Sequence, residues 1–208
     1  MTKEEDVLEI QEKIVLTFDI CSSTLILEDL HGSENLKAWR DFLIWIKRYL
    51  VKKSKEIRFD LYKFTGDGWI LVFNTDRDGS DVVDFAKTFC NAFKKRFDSQ
   101  ISGLLESIPE VYGINFGMDR GKLVRVRMRN RDEFIGRPLN VACRLQSAIR
   151  DHDKNPQYKL LMPKRLHTAM NDDLSSYKFV EVKRTLRNVA GDKDFQCMKL
   201  RLLKRLKE

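Results

Sequence analysis

The 208-residue chain predicts an α+β fold, with a mainly antiparallel sheet flanked by helices and a ferredoxin-like βαββαβ core. Three observations predict it. The elements read in the order β-α-β-β-α-β-β-α-β-α-β-β. Two of the strands are joined by Gly66-Asp67-Gly68, a hairpin signal between apolar runs. Apolar residues make up 42% of the chain and charged residues 34%, a globular balance with enough length for one full core.

Taken in order, residues 1–12 form an acidic lead-in and residues 13–208 one domain. Residues 14–18 (IVLTF) make a short, buried-type strand that ends at Asp19, followed by Ile20-Cys21-Ser22-Ser23-Thr24. Ser33 is placed to cap a helix on which Leu36, Trp39, Phe42, Leu43, Ile46 and Leu50 recur at helical spacing. The basic stretch after them suits a helix C-terminus. Phe59, Leu61 and Phe64 belong to the first hairpin strand, and Trp69 to Phe73 form the second. Residues 81–97 read as another amphipathic helix, with Val82, Phe85, Phe89 and Phe93 on one side. Strands follow at 111–118 and 123–129, a helix at 140–149 and a strand at 158–162. A short helix starts at Pro163, a position proline favours. Strands at 179–186 and 195–203 complete the chain.

Composition narrows the function classes. No apolar run approaches the ~20 residues that span a bilayer, and the start MTKEEDVLEIQEK is too polar for a signal peptide, so the expected location is the cytoplasm. Cys21, Cys90, Cys143 and Cys197 are far apart with no CxxC pairing, which argues for reduced thiols over zinc or disulfides. The formal charge of +8 fits an anionic partner: nucleic acid, nucleotide or membrane surface. Arg125, Arg127, Arg129 and Arg131 alternate, so a strand places all four on one face, where they could bind nucleic-acid phosphates. No aromatic residue is interleaved for base stacking, and a solvated face or an interface arm is the preferred reading. His31, His152 and His167 are isolated.

Asp19 and Asp67 are the candidate chemistry. In a βαββ arrangement the first strand lies beside the hairpin, so the two carboxylates would meet at one sheet edge. Paired carboxylates repel unless a cation neutralises them, and hard oxygen ligands suit Mg²⁺ or Mn²⁺. Gly66 and Gly68 would let a phosphate approach the backbone closely. The alternative is that Gly-Asp-Gly is simply a turn.

Four segments, in order, resemble the class III nucleotide cyclases, the family of adenylate and guanylate cyclase catalytic domains. They are FDICSST (18–24), KFTGDG (63–68), GINFGMDRG (113–121, similar to the family's glycine-spaced strand and turn) and FIGRPLNVACRL (134–145), and the likeness covers about residues 13–200. The resemblance implies that Asp19 and Asp67, with the Ile20 carbonyl, bind two divalent ions, Mg²⁺ or Mn²⁺. It implies that Asn140 and Arg144 orient the ribose and stabilise the transition state, and that Arg187 in TLRNV (185–189) holds the terminal phosphates. It places the site between two head-to-tail subunits of a homodimer. Without the resemblance, Asn140 reads as a helix cap and Arg144 as a solvated arginine.

The resemblance further implies that two positions read the base: Lys63, the adenine-type choice, and Glu133, which can accept from an exocyclic amine of adenine or cytosine. Arg137-Pro138-Leu139 departs from the family's usual acidic residue and valine. A chain of this size resembles the stand-alone pyrimidine cyclases of bacterial Pycsar antiphage systems, which implies a product of cyclic UMP or cyclic CMP. Tyr62 or Phe64 would then narrow the base pocket, although strand packing is an equally plain role for both. Cyclic AMP is the next reading. A catalytically inactive cyclase fold, or a basic nucleic-acid-binding module, is the reading from another class.

Overall fold

A computed structural model describes residues 9–76, 79–128, 131–186, 188–189 and 194–203. Strands are β1 (Glu9–Cys21), β2 (Phe59–Phe64), β3 (Gly68–Asn74), β4 (Gly113–Met128), β5 (Arg131–Ile135), β6 (Lys159–Pro163), β7 (Val180–Thr185) and β8 (Asp194–Arg201). Helices are α1 (Ser23–Gly32), α2 (Leu36–Ile57), α3 (Gly79–Gln100), α4 (Arg137–His152), α5 (Lys164–Ala169) and α6 (Asn171–Leu174). The sheet order is β2-β3-β1-β4-β6-β8-β7, with β5 also paired to β4. Only β4 and β6 run parallel among the described pairs. The run β2-β3-β1-β4, with helices crossing between β1 and β2 and between β3 and β4, is the expected ferredoxin-like core.

Strand alternation divides the core into two faces. Ile14, Leu16, Phe18 and Ile20 of β1 and Trp69, Leu71 and Phe73 of β3 pack with α2 and α3. Val15, Ile70, Val72 and Leu123 turn the other way and meet Ala142 of α4. Farther along α4, Leu145 and Ile149 pack on Leu161 and Cys197. Three of the four cysteines are buried and all are free thiols. Among the described residues, no helix is long and apolar enough to cross a membrane.

The structure corrects several expectations. β1 begins at Glu9, inside the supposed lead-in of residues 1–12, because its acidic residues complement basic β4: Glu9 pairs with Arg125 at 2.9 Å and Glu12 with Arg120 at 3.0 Å. In place of the two strands expected at 111–118 and 123–129, one continuous strand runs over Gly113–Met128, so the third motif contains no turn. Its Asp119 is buried, both carboxylate oxygens accepting from Arg165 Nη2 at 2.6 and 2.7 Å, and Gly121 leaves room for Pro138. Helix α1 was not expected; only Ile26 and Leu30 of its residues are buried. Ser33 closes α1, donating to the Asp29 carbonyl at 3.0 Å, and α2 starts after Asn35 without a side-chain cap. α4 starts at Arg137, after Gly136, so Asn140 is inside the helix and is not its cap.

Candidate active site

Asp19 stands opposite Gly68 of β3 and Asn115 of β4, on the α4 face of the sheet. A Cβ on Gly68 would lie 1.9 Å from the Phe18 carbonyl oxygen, so β1 and β3 close this tightly only with glycine there. Gly66 turns the chain at φ +108°, a conformation side chains resist. Asp67, between the two glycines, comes within hydrogen-bond reach of Asp19. Burial first, then the hydrogen bond and negative charge of Asp67, push the Asp19 carboxyl up to about 7. Arg150 and Gln146 act in the opposite direction. The Ser23 hydroxyl, at the first turn of α1, donates to Asp67. Ser22 adopts the left-handed region at φ 57° and anchors that junction by donating to the Val111 carbonyl at 2.7 Å.

Among the described residues no group of three or more His, Cys, Asp or Glu side chains could hold a metal. The site offers two carboxylates held close together, with the Asp19 side chain only 19% exposed. That donor set fits Mg²⁺ or Mn²⁺, which keep several positions for water and phosphate oxygens. Ile20, whose carbonyl was the further candidate ligand, follows Asp19 in β1 with its side chain in the core.

Helix α4 lies directly on β4 beside this pair. A Cβ at Gly117 would come 1.9 Å from the Ala142 carbonyl oxygen and 2.6 Å from the Gln146 nitrogen. The close approach brings Gln146 Nε2 to 2.7 Å from Asn115 Oδ1 and within reach of Asp19. One turn on, Arg150 Nη1 lies 3.5 Å from Asp19 Oδ2. Ser23, Gln146 and Arg150 were not singled out from sequence. The only available signal was the spacing of 146 and 150, one helical turn apart past the fourth motif.

The base-reading candidates also share this face. A β-bulge between Leu61 and Lys63 makes Tyr62 the extra residue and pairs Lys63 with Ile70. Tyr62 packs with Ile70 and Val72, and Lys63 is exposed. The Tyr62 hydroxyl donates to Glu133 Oε2 at 2.6 Å and accepts from the Phe134 N–H at 3.0 Å. Burial and the Glu133 carboxylate raise the Tyr62 phenol above its usual value. Phe64 does not belong to the group: it pairs with Trp69, their rings 4.6 Å apart, on the α2/α3 face.

Asn140 and Arg144 are exposed, one turn apart on α4, and line a cleft of about 300 Å³ with Cys143, Asn188 and Val189. Neither aspartate lines that cleft. Helix geometry explains it, since each lies two residues, about 200°, from the positions that touch β4. Arg187 lies outside the described residues; its neighbours Asn188 and Val189 form the cleft wall. Within one chain, therefore, the acidic pair and the Asn140/Arg144 pair occupy different sides of α4. In the arginine ribbon, Arg125 pairs with Glu9 and Asp132, and Arg127 with Asp132 at 3.0 Å, so these charges are partly neutralised internally. Arg129 lies outside the described residues.

No protein-family model and no curated protein sequence matches the chain. Solved structures do. A bacterial light-regulated adenylyl cyclase superposes with TM-score 0.68 at 15% identity, over 96% of this chain and 54% of that one, so this chain spans about half its length. The guanylyl cyclase Cya2 superposes with TM-score 0.68 at 15% identity, over 93% of each chain. The adenylyl cyclase CyaB from P. aeruginosa gives TM-score 0.62 at 17% identity, over 96% of this chain and 98% of that one. The fold is that of the class III nucleotide cyclase catalytic domains.

Proposed function

We propose that the chain is a nucleotide cyclase that converts a nucleoside triphosphate into its 3′,5′-cyclic monophosphate and pyrophosphate. The observation that carries this reading is the meeting of Asp19 and Asp67 at the sheet end of a class III cyclase fold. The ribose 3′-oxygen forms a bond to the α-phosphorus, the bond from that phosphorus to the bridging oxygen breaks, and the hydroxyl proton passes to solvent. Two divalent ions, Mg²⁺ or Mn²⁺, held by Asp19, Asp67 and the Ile20 carbonyl would acidify the hydroxyl and offset phosphate charge. Gly66 leaves the approach to Asp67 open, with nothing within 4 Å of where its Cβ would stand, whereas Gly68 serves the closure of β3 on β1. Asn140 orients the ribose, and Arg144 offers its donor fork to the phosphorane oxygens as charge builds there. Arg187 is the candidate for the terminal phosphates.

Asn140 and Arg144 face away from their own chain's aspartates, which supports a head-to-tail homodimer with each site shared between two subunits. Mixing Asp67→Ala with Arg144→Ala tests it. Each variant alone is expected to be inactive and the mixture active. A mixture as inactive as its components contradicts the shared site.

We further propose UTP or CTP as substrate, with the cyclic pyrimidine nucleotide serving bacterial antiphage defence. The supporting observation is Tyr62, whose hydroxyl is tied to Glu133 and whose ring packs edge-on against Phe134, a bulk that would favour a smaller base. Lys63, exposed on the same face, favours the second reading, cyclic AMP from ATP. Competition among UTP, CTP, ATP and GTP separates them; equal affinity for all four contradicts selection by shape.

A further inference from the structure

Arg150 is a cation placed at an acidic pair without a structural need for it. Its side chain is 59% exposed, against 19% for Asp19, and the 3.5 Å pair between them is its only ion pair among the described residues. An exposed pair of that length contributes little to folding. Helix geometry fixes its direction: Gln146, one turn earlier, is within reach of the same carboxylate. Arg150 thus belongs to the same subunit as Asp19 and Asp67, whereas Asn140 and Arg144 face the other way.

The guanidinium supplies counter-charge to Asp19. Divalent ions on the carboxylates would reverse the local sign and repel it. A long side chain on an exposed helix end can then turn to the nearest anion, and a guanidinium fork matches phosphate oxygens in two-pronged fashion. We propose that Arg150 grips the terminal phosphates of the bound triphosphate, and so the departing pyrophosphate, from the subunit that carries the aspartates. The inference rests on the triphosphate reading of this site and is independent of the base.

The test uses calorimetric titration of the full chain with preformed Mn²⁺–tripolyphosphate, which has neither base nor ribose, and with Mn²⁺ alone. Wild type, Arg150→Ala and Arg150→Lys are compared. Arg150→Ala is expected to bind Mn²⁺–tripolyphosphate about tenfold more weakly, one charge-assisted contact's worth, with Lys recovering part of the loss. Mn²⁺ alone is expected to bind the Ala variant at least as tightly as wild type, because a competing cation has gone. Unchanged tripolyphosphate binding by Arg150→Ala overturns the proposal. So does an equal weakening toward both probes, which would mean that Arg150 only positions Asp19. A wild-type chain that binds Mn²⁺–tripolyphosphate but cyclises no nucleotide removes the cyclase reading and leaves this one standing. One that binds neither probe removes both.

Discussion

Asp19 on β1 and Gly68 on β3 are paired residues, and the missing side chain of the glycine lets the strand ends close until Asp67 meets Asp19. Gly68→Ala would put a methyl group 1.9 Å from the Phe18 carbonyl oxygen, a backbone atom that cannot turn aside. The expected cost is about 2–3 kcal/mol in denaturant unfolding, typical of overpacking, together with loss of turnover. At Gly66 a Cβ meets nothing within 4 Å, so Gly66→Ala is charged only for its φ of +108°, roughly 1–2 kcal/mol.

Gln146 couples α4 to the acidic pair through Asn115. Gln146→Leu keeps much of the volume and leaves the buried Asn115 amide without that partner. The expected loss is about 1–3 kcal/mol of stability, with weaker Mn²⁺ binding by calorimetry because Asp19 also loses a donor.

Tyr62→Phe keeps the ring and removes the hydroxyl that bridges Glu133 and the Phe134 N–H. The half-exposed site limits the stability change to under about 1 kcal/mol. Discrimination between pyrimidine and purine triphosphates is expected to fall severalfold in competition binding, since Glu133 is no longer held. Unchanged discrimination would leave Tyr62 a packing residue.

Asp153, at the end of α4, is nearly buried beneath Lys159, Lys199 and Arg184, at 2.6, 3.0 and 2.7 Å. Burial alone would raise its pKa, but hydrogen bonds from Lys159 and Lys199 hold it below the usual 3.8. The folded chain therefore binds fewer protons here than the unfolded chain does. The stabilisation is full above the unfolded value and is lost as pH falls below about 4. Asp153→Asn is expected to cost about 3 kcal/mol at pH 7, because three cations lose their counter-charge, and to flatten the acid limb of a stability–pH curve.

The hairpin, the two long helices and the acidic pair were legible because each rests on local signals: alternation, helical spacing, and carboxylate beside glycine. The unbroken β4 was not, since Asp119 and Gly121 read as a turn and only the packing of Arg165 and Pro138 reveals their use. The bulge at Tyr62 leaves no mark in composition, yet it puts Tyr62 and Lys63 on one face and sends Phe64 to the other. Arg150 lies beyond the motif that drew attention to α4. Its nearness to Asp19 depends on how closely α4 seats on Gly117, which one chain's spacing does not disclose.

The most direct test of the central claim is turnover of ATP, GTP, CTP and UTP, each with Mn²⁺, by the purified chain and by Asp67→Ala, with products identified by mass. The account predicts a 3′,5′-cyclic nucleotide, cyclic UMP or cyclic CMP, that disappears in the variant. Cyclic AMP alone would keep the mechanism and discard the pyrimidine assignment. No cyclic product from any of the four, or a product that survives Asp67→Ala, would contradict the account.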